Sequence, residues 1–226
     1  NGSGFVEGGV GMAAGVPTGT LTFDVPVGAA INQVLLYWAG ATTGAPGDDM
    51  ISVDGNSVTG DLIGGPTNFF NAYIFYAYRA DITDMGWVTD GTNSFEISDF
   101  DFDYTGGGSN ENNGASMLVI YDDGTEAEIT LRDGLDMASF RFEPTLDATV
   151  PQTFLFAAEP VDRMADMVIF SGSVGAGRPN EILVTTSTGT VTLDDKLGSM
   201  DGPQWDSLIL EVMIPAGDTS LTVELV

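Results

Sequence analysis

Ser94-Phe95-Glu96-Ile97-Ser98-Asp99-Phe100-Asp101-Phe102-Asp103-Tyr104 decides the fold class, because apolar and polar residues alternate along it with a period of two. Successive side chains of a strand point to opposite faces, so this period marks a half-buried β-strand rather than an amphipathic helix. The phase changes once. Phe95 and Ile97 fall on odd positions, whereas Phe100, Phe102 and Tyr104 fall on even ones. A continuous strand cannot move its apolar set to the other face, so a bulge or break is expected near Ser98-Asp99.

The same pattern extends outward. Thr20-Leu21-Thr22-Phe23-Asp24-Val25-Pro26-Val27 alternates cleanly, and Ile31-Asn32-Gln33-Val34-Leu35-Leu36-Tyr37-Trp38-Ala39-Gly40 is apolar enough to be a central strand. Asp54-Gly55 marks a hairpin. One aromatic strand is expected over 69–78, followed by a short helical turn within 79–87. Further strands are expected over 94–104, 115–121, 127–132, 138–142, 153–158, 165–171, 181–186, 190–193, 207–214 and 220–226. Gly, Pro, Asn or Asp fills almost every gap and supplies the backbone angles of turns. This spacing predicts an all-β protein, a jelly-roll-like antiparallel β-sandwich. A single domain over residues 19–226 is expected, preceded by an extended Gly-rich segment, residues 1–18.

Composition narrows the function. Among 226 residues, 33 Asp and Glu face 6 Lys and Arg, a net charge of −27. Nucleic-acid binding is not expected, because phosphates need cationic partners. Cys and His are both absent, which removes Ser-His-Asp, Cys-His and zinc-finger chemistry. No window is apolar for the 18 or so residues of a spanning helix, so no membrane span is expected. The acidity suits a salty or calcium-rich exterior, and a secreted, cell-surface location is the expectation. A carboxylate pair could serve glycoside hydrolysis. Any chain with 33 acids contains such pairs, however, and an enzyme is not expected.

Asp99, Asp101 and Asp103 are the first metal candidates. On a strand, alternate carboxylates share one face about 6.5–7 Å apart and repel unless water, salt or a cation intervenes. Glu111, beyond the Gly106-Gly107-Gly108 loop, adds an oxygen ligand, and Ca²⁺ takes 6–8 oxygens. A solvated acidic face is the alternative. Asp122 and Asp123, with Gly124 and Glu126, form a second oxygen-rich turn, for which an ordinary Asx turn is the alternative. Asp48-Asp49, Asp194-Asp195 and Asp201-Gly202 with Asp206 are read the same way. Asp81 and Asp84 either face one ion or cap the turn between them. Trp38, Trp87 and Trp205 are candidates for a sugar platform, with core packing as the alternative.

Four motifs then come in order: Val34-Leu35-Leu36-Tyr37-Trp38-Ala39-Gly40, Tyr78-Arg79-Ala80-Asp81-Ile82-Thr83-Asp84, Gly114-Ala115-Ser116-Met117-Leu118-Val119-Ile120-Tyr121-Asp122-Asp123 and Ile129-Thr130-Leu131-Arg132-Asp133-Gly134. Together they resemble a β-sandwich domain of bacterial and archaeal cell-surface proteins with an LYWAG, ADVTD, LVVVYED, DG pattern, over roughly Ile31 to Ser171. The resemblance implies secretion, a jelly-roll-like sandwich and a structural or adhesive role, and it carries no catalytic residues to transfer.

The expectation is therefore a secreted, calcium-stabilised structural protein that assembles with copies of itself into a filament, sheath or tube. The Gly-rich segment is the candidate donor strand, its small residues fitting a narrow groove and Phe5, Val10 and Met12 anchoring it. A disordered leader is the alternative for that segment. An adhesive module for surface glycans is the second reading of function, and a glycan-active enzyme the third.

Overall fold

The computed structural model describes residues 4–13, 15–43, 46–70, 73–102 and 111–226 and, for Phe70 and Glu111, the backbone alone. Its strands are β1 Gly4–Gly11, β2 Thr18–Val25, β3 Ala30–Thr42, β4 Met50–Val53, β5 Asn56–Thr59, β6 Asp61–Phe70, β7 Tyr73–Asp81, β8 Gly91–Ser98, β9 Glu111–Asp122, β10 Gln152–Leu155, β11 Arg163–Gly172, β12 Glu181–Thr186, β13 Gly189–Asp194, β14 Trp205–Ile214 and β15 Ser220–Leu225. Among the described residues, one 3₁₀ turn, Thr83–Met85, is the sole helical element, and no helix is long and apolar enough to cross a membrane. The chain forms two compact units. One comprises Asn1–Leu135, Phe170–Gly175 and Ser199–Ser207; the other comprises Asp136–Ile169, Ala176–Gly198 and Leu208–Val226.

The first unit is a jelly roll. Its antiparallel pairs are nested, with β1 against β9, β2 against β8, β3 against β7 and β4 against β5. Rolling that long hairpin up adds the pairs β9–β3 and β8–β4. Two sheets result, ordered β1-β9-β3-β7-β6 and β2-β8-β4-β5. Leu21, Phe23, Val25, Ile51, Val53, Phe95 and Ile97 of the second sheet pack against Val34, Leu36, Trp38, Tyr78, Met117 and Val119 of the first. These are alternate residues of each strand, as a sandwich core requires. Each such side chain contributes about 1.5–3 kcal/mol on burial.

In the second unit, β10, β15, β12 and β13 form an antiparallel sheet in that order. Ile182 and Val184 of β12 and Leu221 and Val223 of β15 are its buried alternates. Strands β11 and β14 pair with each other as a two-stranded ribbon.

The break at Ser98-Asp99 is present. β8 ends at Ser98, and Asp99 adopts a left-handed backbone with φ 60°. Phe95 and Ile97 are buried before it and Phe102 after it, so the change of phase is real. The hairpin at Asp54-Gly55 is also present, with φ 48° and 75°, the two positive angles of a tight turn.

Other expectations change. The aromatic strand over 69–78 is the meeting of two strands, β6 and β7. The stretch 127–132 alternates in burial, with Ile129 and Leu131 half-buried and Glu128, Thr130 and Arg132 exposed, yet apart from an isolated bridge at Ala127 it forms no strand. Its Ile129 and Leu131 line a cleft together with Gln33 of β3 and Ile120 of β9. Residues 138–142 form turns. The division of the chain does not fall at residue 18, because Gly4–Gly11 is the first strand of the jelly roll.

Candidate functional site

The seat of β1 is a closely fitted feature of the first unit. β1 is an edge strand, paired with β9 from Gly4 opposite Tyr121 to Gly11 opposite Gly114. Val10 and Met12, expected as anchors between subunits, are buried in the core of their own chain, and Phe5 is half-buried opposite Ile120. The glycines are small because the slot is narrow. A Cβ on Gly8 would lie 2.7 Å from the Thr22 carbonyl oxygen, and one on Gly11 would lie 2.4 Å from the Gly202 backbone. The loop from Ser199 to Gln204 closes the slot, with the Gly11 N–H donating to the Asp201 carbonyl at 2.7 Å. Met12 N–H donates to the Asn113 carbonyl at 2.9 Å.

One charged side chain enters this seat. The Glu7 carboxyl is hydrogen-bonded to the Ser207 side chain, and its Oε2 is buried without a hydrogen-bond partner. Burial pushes the carboxyl above its ordinary range; the Ser207 hydrogen bond opposes this and the nearby Asp201 charge adds to it. Asp201 Oδ2 accepts from both the Ser207 N–H and its hydroxyl at 2.5 Å. Glu7 and Ser207 escaped the sequence reading, since nothing local marks a lone Glu in a Gly-rich run. Asp201 was visible only as part of a turn.

The proposed calcium ligands fall out differently. Asp103 lies outside the described residues, as does the Glu111 side chain. Asp99 and Asp101 do not share a strand face, because the strand has already ended. The Asp101 N–H instead donates to Asp48 Oδ2 at 2.6 Å, and Trp38 Nε1 donates to the Asp48 carbonyl at 2.9 Å. Burial raises the Asp48 pKa against the hydrogen bonds from Asp101 and Met50, with the Asp101 and Asp49 charges adding to the rise. Burial, with Asp49, Tyr76 and Asp48 beside it, pushes the Tyr78 hydroxyl up to about 12. Asp122 accepts from the Gly124 N–H at 2.8 Å and Asp123 from the Thr125 N–H at 3.0 Å, which makes both Asx turns. Among the described residues, no three carboxylates are gathered to hold a metal.

An open cleft of about 540 Å³ lies on the first unit, lined by Asn32, Gln33, Asp81, Thr83, Asp84 and the apolar Ile120, Ile129 and Leu131. Asp81 accepts from Gln33 Nε2 at 2.9 Å and from the Thr83 N–H at 3.0 Å. Partial burial works against its charge, but the Thr83 and Gln33 hydrogen bonds and the Arg79 charge outweigh that and hold it below the usual carboxylate range. Asp81 thus fastens the head of the 3₁₀ turn. Trp38 and Trp205 are 1% and 3% exposed, and Trp87 packs against the core, so no tryptophan platform faces solvent.

No family model matches the chain, and no curated protein matches it. Among solved structures, the chain is similar to the crystal structure of a β-D-mannosidase from Dictyoglomus thermophilum, at 10% identity and a TM-score of 0.23. That similarity covers 88% of this chain and 24% of the mannosidase chain.

Proposed function

We propose that this chain is a non-catalytic structural protein of the cell exterior that assembles with its own copies by exchanging β1. The supporting observation is the seat: an edge strand whose hydrogen bonds and glycine-sized slot the β1 of a second copy would satisfy equally well. Exchange conserves every contact of the closed form, so it needs no new interface, which is the physical basis of domain swapping. At −27 per subunit, copies repel, and divalent cations at the exposed acidic loops, calcium first among them, are the proposed counterions.

The absence of cysteine makes a clean test possible. Val6 lies opposite Val119 in the β1–β9 register, so a V6C variant mixed with a V119C variant forms an intermolecular disulfide only when β1 of one chain sits beside β9 of another. The double variant, oxidised as a monomer, locks β1 in place and stops assembly. A mixture that yields no crosslinked heterodimer, at concentrations where the wild type assembles, refutes exchange.

A second reading, an adhesive module for glycans, has the cleft in its favour. Asn32, Gln33, Asp81 and Asp84 offer the amide and carboxylate groups that bind sugar hydroxyls, beside an apolar wall. Calorimetry with neutral oligosaccharides, using D84A as the control, separates this reading from the first.

A further inference from the structure

Three irregular pieces of chain meet at the cleft on the first unit. Asn32 is the extra residue of a β-bulge: Ile31 stands opposite Tyr121 and Gln33 opposite Ile120, so Asn32 has no opposite number on β9. A bulge re-aims a side chain. For this reason Asn32 and Gln33, neighbours in sequence, both line the cleft instead of pointing to opposite faces. The 3₁₀ turn brings Thr83 and Asp84, and Asp81 sets that turn by accepting from both the N–H and the hydroxyl of Thr83. Ile129 and Leu131, from the segment that forms no strand, make an apolar wall with Ile120.

The polar groups left open in the cleft specify a ligand. The Thr83 hydroxyl is used twice, giving to Asp81 Oδ1 and receiving the Val34 N–H at 2.9 Å, and the other Asp81 oxygen accepts from Gln33. Among the described residues, no hydrogen bond or ion pair engages the side chain of Asn32 or of Asp84. An ionised carboxylate only accepts, and no cation lines the cleft to meet Asp84. Arg79 is paired with Asp133, and Arg132 donates to the Leu131 carbonyl at 3.2 Å. An uncompensated carboxylate and a free amide therefore stand beside an aliphatic wall. A calcium ion would need six to eight oxygens, and the wall supplies none. A sugar ring would find no aromatic face among the lining residues.

We propose that this cleft binds a primary ammonium carried on an unbranched alkyl stem. The ammonium gives its protons to Asp84 and to the Asn32 side-chain carbonyl, and the stem lies along Ile120, Ile129 and Leu131. A lysine side chain has this form, an apolar stem under a charged head, and so has a free alkyl diamine. Further copies of this chain do not supply it. Lys196, its one lysine, follows Asp194 and Asp195, whose charges outweigh its own. The ligand is a different molecule, and the site is independent of β1 exchange.

Amide chemical shifts of the full-length protein, titrated with pentylamine in about 0.15 M salt to screen the general charge, test this. Shifts should gather around Asn32, Asp84, Ile120 and Leu131. Affinity should rise about two- to fourfold per methylene from propylamine to pentylamine. Pentanol, the stem without the charge, and ammonium chloride, the charge without the stem, should both bind more weakly. Asp84 has no partner to lose, so D84N should fold as the wild type does and bind pentylamine about fivefold more weakly. L131A should weaken pentylamine and leave ammonium unchanged. N-acetyl-lysine methylamide binding above cadaverine assigns the site to a protein partner's lysine, and the reverse order assigns it to a free diamine. Shifts spread over the whole acidic surface, pentanol binding as tightly as pentylamine, or an unchanged affinity in D84N overturns the site. A neutral oligosaccharide that shifts these amides where pentylamine does not also overturns it, in favour of the glycan reading.

Discussion

The Tyr37 hydroxyl donates to Oδ1 of Asp133 at 2.9 Å, across 96 positions of chain. The other oxygen of Asp133 pairs with Arg79. Tyr37, Arg79 and Asp133 come from three of the four motifs noted in the sequence, and the motif order has a physical reason here. One carboxylate fastens the segment after β9 across the outer face of β3 and β7, where Leu135 packs over Gly64. Burial first, and then the Asp133 charge, raises the Tyr37 pKa, so the phenol remains a donor through the whole working pH range.

This fastening predicts an order of mutational effects. Y37F removes one charge-assisted hydrogen bond and should lower unfolding free energy by about 1–2 kcal/mol. D133A leaves the Arg79 guanidinium and the Tyr37 hydroxyl without their shared, partly exposed acceptor and should cost somewhat more, about 2 kcal/mol. The double variant should cost no more than D133A alone, since the tyrosine then has nothing to lose. Urea denaturation of the three proteins measures this; additive losses would mean that the groups act separately.

The pH dependence of stability should peak in mild acid. Asp48 holds its proton longer folded than unfolded, so stability falls as pH rises from its ordinary value of 3.8 through its raised native value. Asp81 has the opposite sign. Its contribution is present above 3.8 and is lost as pH falls through its depressed native value. Relief of the −27 charge adds to the first trend. Calorimetric melting temperatures should therefore be highest at about pH 4 to 5, with the fall towards pH 8 reduced by salt. A maximum at neutral pH would contradict these assignments.

Period-two patterning carried most of the fold because it records burial directly, as Phe95, Ile97 and Phe102 show on either side of the break at Asp99. It failed at Ile129 and Leu131 for the same reason. Their alternation reports a half-buried extended backbone and cannot say whether that backbone pairs into a sheet. It also merged β6 with β7, since Phe69 and Tyr76 belong to one aromatic run in the sequence and to two strands in space. The Gly-rich opening was misleading for a different reason. Gly8 and Gly11 look permissive locally, whereas it is Thr22 and Gly202, far along the chain, that demand them. Glu7, Asp201 and Ser207 meet only once that seat exists, so no spacing in the sequence announces them.

Calcium should act as more than ionic strength. Six Lys and Arg cannot neutralise 33 carboxylates, and the charges of Asp101 and Asp49 bear on the half-buried Asp48. A cation bound only by the folded chain at a hundredfold excess over Kd adds about 2.7 kcal/mol. Chelator should lower the melting temperature, and sodium chloride at matched ionic strength should not restore it. Identical melting curves with and without chelator would leave general screening as the whole effect.

The fit of β1 yields the sharpest mutational contrast. In G8A the added methyl meets the Thr22 carbonyl oxygen at 2.7 Å, and backbone cannot swing aside as a flexible side chain does. Overpacking of this kind costs about 1–3 kcal/mol. Gly28 is the control, because a Cβ there meets nothing within 4 Å, although its φ of 85° carries its own backbone strain. Both variants should thus lose stability, but only G8A should lose it at the β1 seat. Hydrogen exchange should show β1 and its partner β9 deprotected in G8A, while G28A keeps both. If β1 is the exchanged element, G8A should also stop assembly, because the methyl clashes with Thr22 of any copy that receives the strand. G28A should assemble as the wild type does. A G8A protein with an unprotected β1 that still forms wild-type assemblies would separate the seat from the interface and send the search for the contact elsewhere.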